Sequence, residues 1–388
     1  MKEHRGKFLL GLVVTVVLLW WALRDVSPGH VLDLVGRANP GWLAAMVVAA
    51  TGAFLLRALR WRVLLLPEYP DTGLHARFAA VCIGFMVNNV FPARLGEFAR
   101  AYAFSRVEDI EAGAAFGSLV IERVLDGLTL TAFLVAVLLL TGTGQVGLVD
   151  APLLQRIALG GAAVFGVGFL GIWVVVRFPG VAVRLFEATA GRLVPAHLYE
   201  RLRALLASFV RGLGSVSRPA ILVRALAWSL AVWVCLAASM WFGMLAFGID
   251  APGFPGAVLV QSIVGFAVAI PSSPGFFGPF EAAARVGLSA YGVDPSRIVA
   301  FAVSYHILTF IPVTLLGLWY LSRLGLGWKE VERSEEFVEA SVEGRSGPQV
   351  AAGREAGSQK RGLGAGAPGA RDGGSDAAAG RTSGPGAG

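Results

Sequence analysis

The stretch FAAVCIGFMVNNVFPARLGEFARAYAFSR, residues 78–106, decides what kind of chain this is. Its apolar part, 78–91, is shorter than the runs that cross a hydrocarbon core about 30 Å thick, and it ends at Pro92. A second helix-like segment follows near 94–105, too charged to span because it carries Arg94, Glu97 and Arg100, with Arg106 at its end. The same plan returns at 256–271, which ends at Pro271 and is followed by a short segment near 279–290. Pro- and Gly-interrupted short segments at corresponding places of two halves are the usual pointer to broken or re-entrant helices. Two re-entrant helical hairpins are expected.

Around these stretches the chain is apolar throughout. Of 388 residues 55% are hydrophobic and only 15% charged, and mean hydropathy is +0.67. A soluble domain carries about a quarter charged residues, so an ordinary soluble enzyme is excluded. Two cysteines, Cys82 and Cys235, lie in apolar runs and exclude a disulfide scaffold. Long apolar stretches run near 8–23, 41–56, 113–140, 157–176, 225–248 and 298–321. The first follows a basic start, but Trp20-Trp21-Ala22-Leu23-Arg24 offers no small-residue cleavage site, so it reads as a retained span.

The expected fold is an all-α polytopic membrane protein. It has about six full transmembrane helices and two hairpins of opposite orientation, as an inverted repeat produces; eight fully spanning helices are the alternative. Lys and Arg test the layout. Segments assigned to the cytoplasm (1–7, 57–77, 94–106, 177–224, 323–333) carry 21, against 5 in 24–37, 141–156 and 285–297. Both termini are therefore expected in the cytoplasm, in the plasma membrane. The transmembrane domain takes residues 1–330, with halves at about 8–140 and 157–322. Between them 196–213 reads as an amphipathic helix, its leucines and Phe209 on one face and Arg201, Arg203 and Arg211 largely off it. The Gly-rich tail, 334–388, lacks apolar periodicity and is expected to be disordered. That tail is nearly neutral, with six basic and seven acidic residues, so the membrane domain holds +8. A basic membrane domain obeys the positive-inside rule or handles anionic lipid. Nucleic acid is excluded as a partner, because no basic cluster interleaved with aromatics sits on a soluble domain.

Ionisable residues inside spans are costly and mark function by default. Three groups stand out: Asn88-Asn89-x-x-Pro92-x-Arg94-x-Gly96-Glu97-x-x-Arg100; Glu122-Arg123-x-x-Asp126; and Pro271-Ser272-Ser273-Pro274-Gly275-x-x-Gly278-x-x-Glu281, with Arg285 one turn beyond. Pro92 and Gly96 are four apart, as are Pro274 and Gly278, and a short helix with Glu and then Arg follows each pair. Free N–H groups at two helix starts near mid-membrane, beside Arg94, suit a phosphate or other anionic headgroup. Pro92, Gly96, Pro271, Pro274, Gly275 and Gly278 are the expected hinges. Asn88 and Asn89 have a plainer role in satisfying broken backbone, and Ser272 and Ser273 in capping a helix. Glu122 and Asp126 share a helical face, either as an ion-pair cluster balancing Arg94 or Arg100 or as proton carriers. His306 reads as a packing residue, and no histidine is expected near either hairpin tip. The other four histidines show no metal spacing, so no metal and no cofactor are expected.

Over residues 8–325 the chain resembles the transmembrane flippase region of lysylphosphatidylglycerol synthases and its stand-alone, flippase-like relatives. The resemblance rests on the three motifs above, in that order and spacing. It implies lipid movement between leaflets, with Arg94, Glu97, Arg100, Glu122, Arg123, Asp126 and Glu281 as carried-over residues. In the two-part synthases a soluble aminoacyltransferase domain follows the membrane region; here the Gly-rich tail follows Ser322, so aminoacyl-lipid synthesis is not expected. Relatives linked with isoprenoid, hopanoid or glycolipid pathways widen the choice of lipid.

The leading expectation is a flippase or scramblase whose partners are membrane lipids, with Asn88, Asn89, Ser272 and Ser273 joining the carried-over residues at the substrate. No nucleotide-binding G-x-x-x-x-G-K-[ST] occurs, so movement is passive, gradient-coupled or partner-assisted. A lipid-synthesis enzyme as partner and a homodimer stay open. The alternatives are an intramembrane polyprenyl-pyrophosphate phosphatase and a non-catalytic subunit of a lipid-modifying system.

Overall fold

Proline opens most of the long helices, because its missing N–H is not needed in a first turn and its fixed φ is already helical. The computed structural model describes residues 2–66, 68–91, 95–108, 110–145, 151–177, 218–268, 274–334 and 337–338, and every regular element among them is helical. In chain order these are α1 (Lys2–Leu23), α2 (Pro28–Gly36), α3 (Pro40–Leu65), α4 (Leu74–Val90), α5 (Gly96–Val107), α6 (Ala112–Gln145), α7 (Ala151–Arg177), α8 (Pro219–Ala246), α9 (Gly253–Ala267), α10 (Pro279–Ser289), α11 (Pro295–Arg323) and α12 (Trp328–Glu332), with a 3-10 turn at Pro274–Phe276. Prolines stand in the first turn of α2, α3, α8, α10 and α11. Asn39 caps α3 by accepting from Gly41 N and Trp42 N, and Asp294 caps α11 by accepting from Arg297 N.

Among the described residues four helices are long and apolar enough to cross a membrane: Pro40–Leu65, Ala112–Leu140, Pro219–Ala246 and Pro295–Arg323. Their outward residues, such as Val48, Leu139, Leu140, Val223 and Leu315, are exposed and apolar, as lipid contact requires. The other two expected spans fall on α1 and α7, whose described apolar portions, Val13–Leu23 and Leu159–Gly171, are shorter. Residues 24–37 carry α2, and one expectation needs correction. The segment 57–77 begins inside α3, which runs on to Leu65 because Val63, Leu64 and Leu65 keep packing into the core beyond Arg57, Arg60 and Arg62. The expected amphipathic helix at 196–213, the tail from 339, and Pro92, Arg94, Pro271, Ser272 and Ser273 lie outside the described residues.

Both interrupted stretches form antiparallel helix pairs. In the first hairpin, Gly73 N donates to Glu108 Oε1 at the open end, and Asn88 Oδ1 accepts from Gly96 N at the tip. The arms cross at Gly84 and Gly96, where a Cβ on Gly96 would lie 2.1 Å from Gly84 O, so only glycine allows this approach. In the second hairpin α9 packs on α10, with Gly256 near Tyr291 and Gly287 near Val260 and Ile263.

The packing is unchanged when α3, α4, α5 and α6 are exchanged for α8, α9, α10 and α11. Thus α3 meets α4 as α8 meets α9; α5 meets α6 as α10 meets α11; and the first hairpin arm of each half, α4 or α9, packs on the long helix of the other half, α11 or α6. The equivalent helices α3 and α8 lie antiparallel. Asn39 N donates to Ala246 O, Ser239 Oγ to Met46 O, and Arg60 Nη1 to Ser229 Oγ, so residue numbers rise along one helix as they fall along the other.

Two hydrophobic cores result, at opposite ends of this α3–α8 spine. One gathers Trp61, Ile83, Met86, Phe104, Leu119 and Tyr320 around the first hairpin. The other gathers Met46, Met244, Val260, Phe280, Phe301 and Tyr305 around the second. From Met46 to Trp61 is about 22 Å at the helical rise of 1.5 Å per residue, so the hairpins dock at separate levels of the bundle.

Candidate functional site

Beside the first hairpin the core contains charge. Arg57 and Arg60 come from α3, Arg100 from α5, and Glu122, Arg123 and Asp126 from α6. Glu122 and Asp126 are one turn apart and so face the same way, which lets both meet Arg60. Glu122 is wholly buried and accepts from Arg100 Nη1 (2.8 Å), Arg100 Nη2 (3.1 Å) and Arg123 Nη2 (2.7 Å), with Arg60 Nη2 at 3.0 Å. Asp126 takes Arg60, Arg123 Nη2 (3.2 Å), the indole N–H of Trp233 (2.9 Å) and, at 3.5 Å, Arg57.

Among the described residues, four arginines therefore share these two carboxylates, an excess of two positive charges in the cluster. Half-buried Glu97, whose field reaches Arg123, reduces the excess without cancelling it. Aromatic faces absorb part of the remainder: the Arg100 guanidinium lies 4.0 Å from the Trp61 ring centroid, and Arg57 lies between Phe85 and Trp233. The Nε–H groups of Arg60, Arg100 and Arg123 are buried without a hydrogen-bond partner. Arg123 alone of the four keeps 38% of its side chain exposed. The arrangement can attract and hold an anion, with Arg123 as the group that meets it.

Immediately along the same helices is an apolar cavity of about 480 Å³, lined by Leu125, Thr129 and Ala132 of α6, Phe169 of α7, and Leu226 and Leu230 of α8. Its polar neighbours one turn away are Asp126 on α6 and Ser229 on α8, the latter bonded to Arg60. Cationic cluster and hydrocarbon-like cavity thus share two helices.

The second hairpin is built differently. Glu281, in the first turn of α10, accepts from Gly278 N (2.7 Å) through Oε2, while Oε1 lies 2.7 Å from His306 Nδ1 on α11. His306 Nε2 reaches the carbonyl oxygen of Gly275 in the 3-10 turn (2.6 Å), and the rings of Phe277 and Phe280 lie 4.4 and 4.6 Å from the imidazole. Gly278 has φ +92, and a Cβ there would press on Thr15 O of α1 at 2.8 Å, so the hinge glycine is required twice over. Arg285 turns away from Glu281 to cap α1, donating to Trp21 O, Ala22 O and Asp25 Oδ2. Its bond holds the Asp25 carboxyl below its ordinary range, working against partial desolvation.

The expected site residues thus divide between two places. Arg100, Glu122, Arg123 and Asp126 converge, with Glu97 close by. Asn88 and Asn89 lie at the first tip, Asn88 bonded to Gly96 N and within 3.4 Å of Glu97, and Asn89 donating to Thr314 of α11 (2.9 Å). Glu281 instead pairs with His306 and Gly278 N beside the second tip. Sequence reasoning missed Arg57, Arg60, Ser229 and Trp233. It also placed no histidine near a hairpin tip, which His306 corrects: the fold brings it across 25 residues onto Glu281 and Gly275. Among the described residues no three His, Cys, Asp or Glu side chains form a metal site.

The sequence profile of the lysylphosphatidylglycerol synthase transmembrane region matches residues 8–317. Similar proteins include a glycosyltransferase, AglD, of Haloferax volcanii, 28% identical over 81% of this chain and 54% of that protein. A UPF0104 membrane protein of Methanothermobacter thermautotrophicus is 24% identical over 81% of this chain and 94% of its own length. A further UPF0104 membrane protein, of Methanocaldococcus jannaschii, matches at 24% over 37% of the chain and 44% of that protein. The chain spans about half the length of the glycosyltransferase it matches.

Proposed function

This membrane protein belongs to the family of the lysylphosphatidylglycerol synthase transmembrane region, and on that premise we propose that it moves a lipid with an anionic headgroup between leaflets, as a flippase or scramblase. The observation that carries the reading is the surplus of buried arginine beside the first hairpin. A bare excess of positive charge in a low-dielectric interior is unfavourable, and an anionic headgroup at Arg123 relieves it. The adjoining apolar cavity supplies a wall against which a lipid chain lies while the headgroup sits among the guanidinium groups. AglD is named a glycosyltransferase, which favours a glycolipid or an isoprenoid-linked phosphate over an aminoacylated lipid as cargo. The chain itself acts as a carrier rather than an enzyme, and works alone or beside a lipid-synthesis enzyme.

In this reading six helices cross the plasma membrane and α4–α5 and α9–α10 enter it from opposite faces as re-entrant hairpins of an inverted repeat. The exchangeable packing and the antiparallel α3–α8 pair support that arrangement. Both termini are cytoplasmic. Setting aside the buried Arg57, Arg60, Arg77 and Arg100 leaves the Lys/Arg bias on the same side.

The test is leaflet exchange of fluorescent anionic lipid in proteoliposomes, read by dithionite quenching, for the wild type and Arg123→Ala. Exchange faster than in protein-free liposomes, lost in the variant while the fold persists, supports the headgroup site. Exchange no faster than in protein-free liposomes overturns it in favour of a non-catalytic subunit. Phosphate released from polyprenyl pyrophosphate in the same preparation would instead make the chain a phosphatase.

A further inference from the structure

The contacts of His306 fix how many protons it and Glu281 hold. Gly275 O has no hydrogen to give, so at 2.6 Å the proton in that contact belongs to His306 Nε2. At 2.7 Å the Nδ1···Oε1 contact also needs one hydrogen, on imidazolium or on carboxylic acid. Either way the pair carries both protons and is neutral overall. Remove one, and a lone pair must face a lone pair. With the remaining proton on Nε2, Nδ1 opposes the carboxylate; with it on Nδ1, Nε2 opposes the Gly275 carbonyl.

We propose that Glu281 and His306 form a binding site for one exchangeable proton that latches the tip of the second hairpin to α11, and that loss of this proton to water frees the tip. The tip is poised for release. Phe276, beside Gly275, is held at φ +61, a left-handed conformation unfavourable for a side-chain-bearing residue. Two hydrogen bonds that hold the tip, the His306 bond to Gly275 O and the Glu281 bond to Gly278 N, pass through the pair.

Among the described residues no neighbouring charge substitutes for the missing proton. On α10 the other ionisable side chain, Arg285, is committed to α1 and Asp25. The sequence of α9, GFPGAVLVQSIVGFA, has none, and α1 presents Thr15 at this level. On α4, which packs on the 3-10 turn, the titratable side chains are His75, Cys82 and Arg77, the last bonded to Ala58 O and Thr72 O. Tyr305 of α11 stacks on Phe280, Cys235 of α8 donates to Ala49 O, and Arg57 of α3 is taken by Asp126. On α2, which packs on α11, His30 and Asp33 are the titratable side chains, Asp33 being bonded to Arg37.

The experiment is hydrogen–deuterium exchange of peptides covering 274–289 in the intact protein in nanodiscs, between about pH 5 and 9, corrected for intrinsic exchange. In the wild type, protection of the tip falls as pH rises, by up to about tenfold per pH unit, the slope of a single proton. In Glu281→Gln the amide donates to Nδ1 of neutral His306 while Nε2–H keeps its bond to Gly275 O, so protection no longer falls as pH rises. In His306→Ala protection is low throughout. The two variants thus move in opposite directions, which a general loss of folding does not produce; peptides from α3 and α8 report folding in each. Tip protection independent of pH in the folded wild type, or Glu281→Gln behaving like His306→Ala, overturns the proposal. The readout contains no lipid movement, so its failure and that of the lipid-carrier reading are separable.

Discussion

The two hairpins occupy equivalent places in the packing, yet they are fastened by different chemistry. The second arm of the first hairpin reaches the following long helix through Arg100 and Glu122, part of a network with four guanidinium groups. The second arm of the other reaches its long helix through Glu281 and His306. Arginine does not lose its proton in a protein, so the first fastening keeps its charge at any physiological pH. In the proposal above the second is conditional on one proton. A repeated architecture has thus given one end an anchor of fixed charge and the other a conditional one.

Removing the carboxylate at the centre of the first anchor should have the largest effect on that contrast. Glu122→Ala leaves Arg60, Arg100 and Arg123 without their shared counter-ion and is expected to cost about 3–5 kcal/mol, read as loss of folded protein or a lowered unfolding midpoint in detergent. Next comes the crossing of the first hairpin. Gly96→Ala drives a methyl into Gly84 O and Asn88 and should cost about 1–3 kcal/mol, whereas Gly52→Ala, in open space on α3, should be nearly neutral in the same assay. Trp233→Phe keeps the ring beside Arg57 but removes the N–H given to Asp126, an expected loss of about 1–2 kcal/mol. The smallest effect is at the exposed Asp25, on the conditional end. Because Arg285 lowers its folded-state pKa, the contribution of the pair is complete above about pH 4, the unfolded carboxylate value, and fades as pH falls through the lower folded value. The wild type should therefore lose its advantage over Asp25→Asn only in acid, as unfolding midpoints compared at pH 7 and pH 3 would reveal; an equal difference at both would refute the pairing.

Much of this was legible along the chain. Interrupted apolar runs at 78–91 and 256–271 announced both hairpins, and the i, i+4 spacing of Glu122 and Asp126 announced a shared ionic face. What stayed hidden had physical causes. Arg57 and Arg60 read as the cytoplasmic flank of a span, because a basic residue after an apolar run usually is one; the apolar residues beyond them were the contrary sign. The pairing of His306 with Glu281, and of Arg285 with Asp25 across 260 residues, depends on which helices the fold sets side by side. No local spacing encodes that.

Pro312 adds one consequence. It stands within α11 and, lacking an N–H, deletes a backbone hydrogen bond there. On one side of it His306 serves the second hairpin; on the other, Thr314, Gly317 and Tyr320 meet Asn89, Met86 and Phe78 of the first. The helix therefore has a weakened backbone link between its two hairpin contacts, the point at which a bend between its ends costs least.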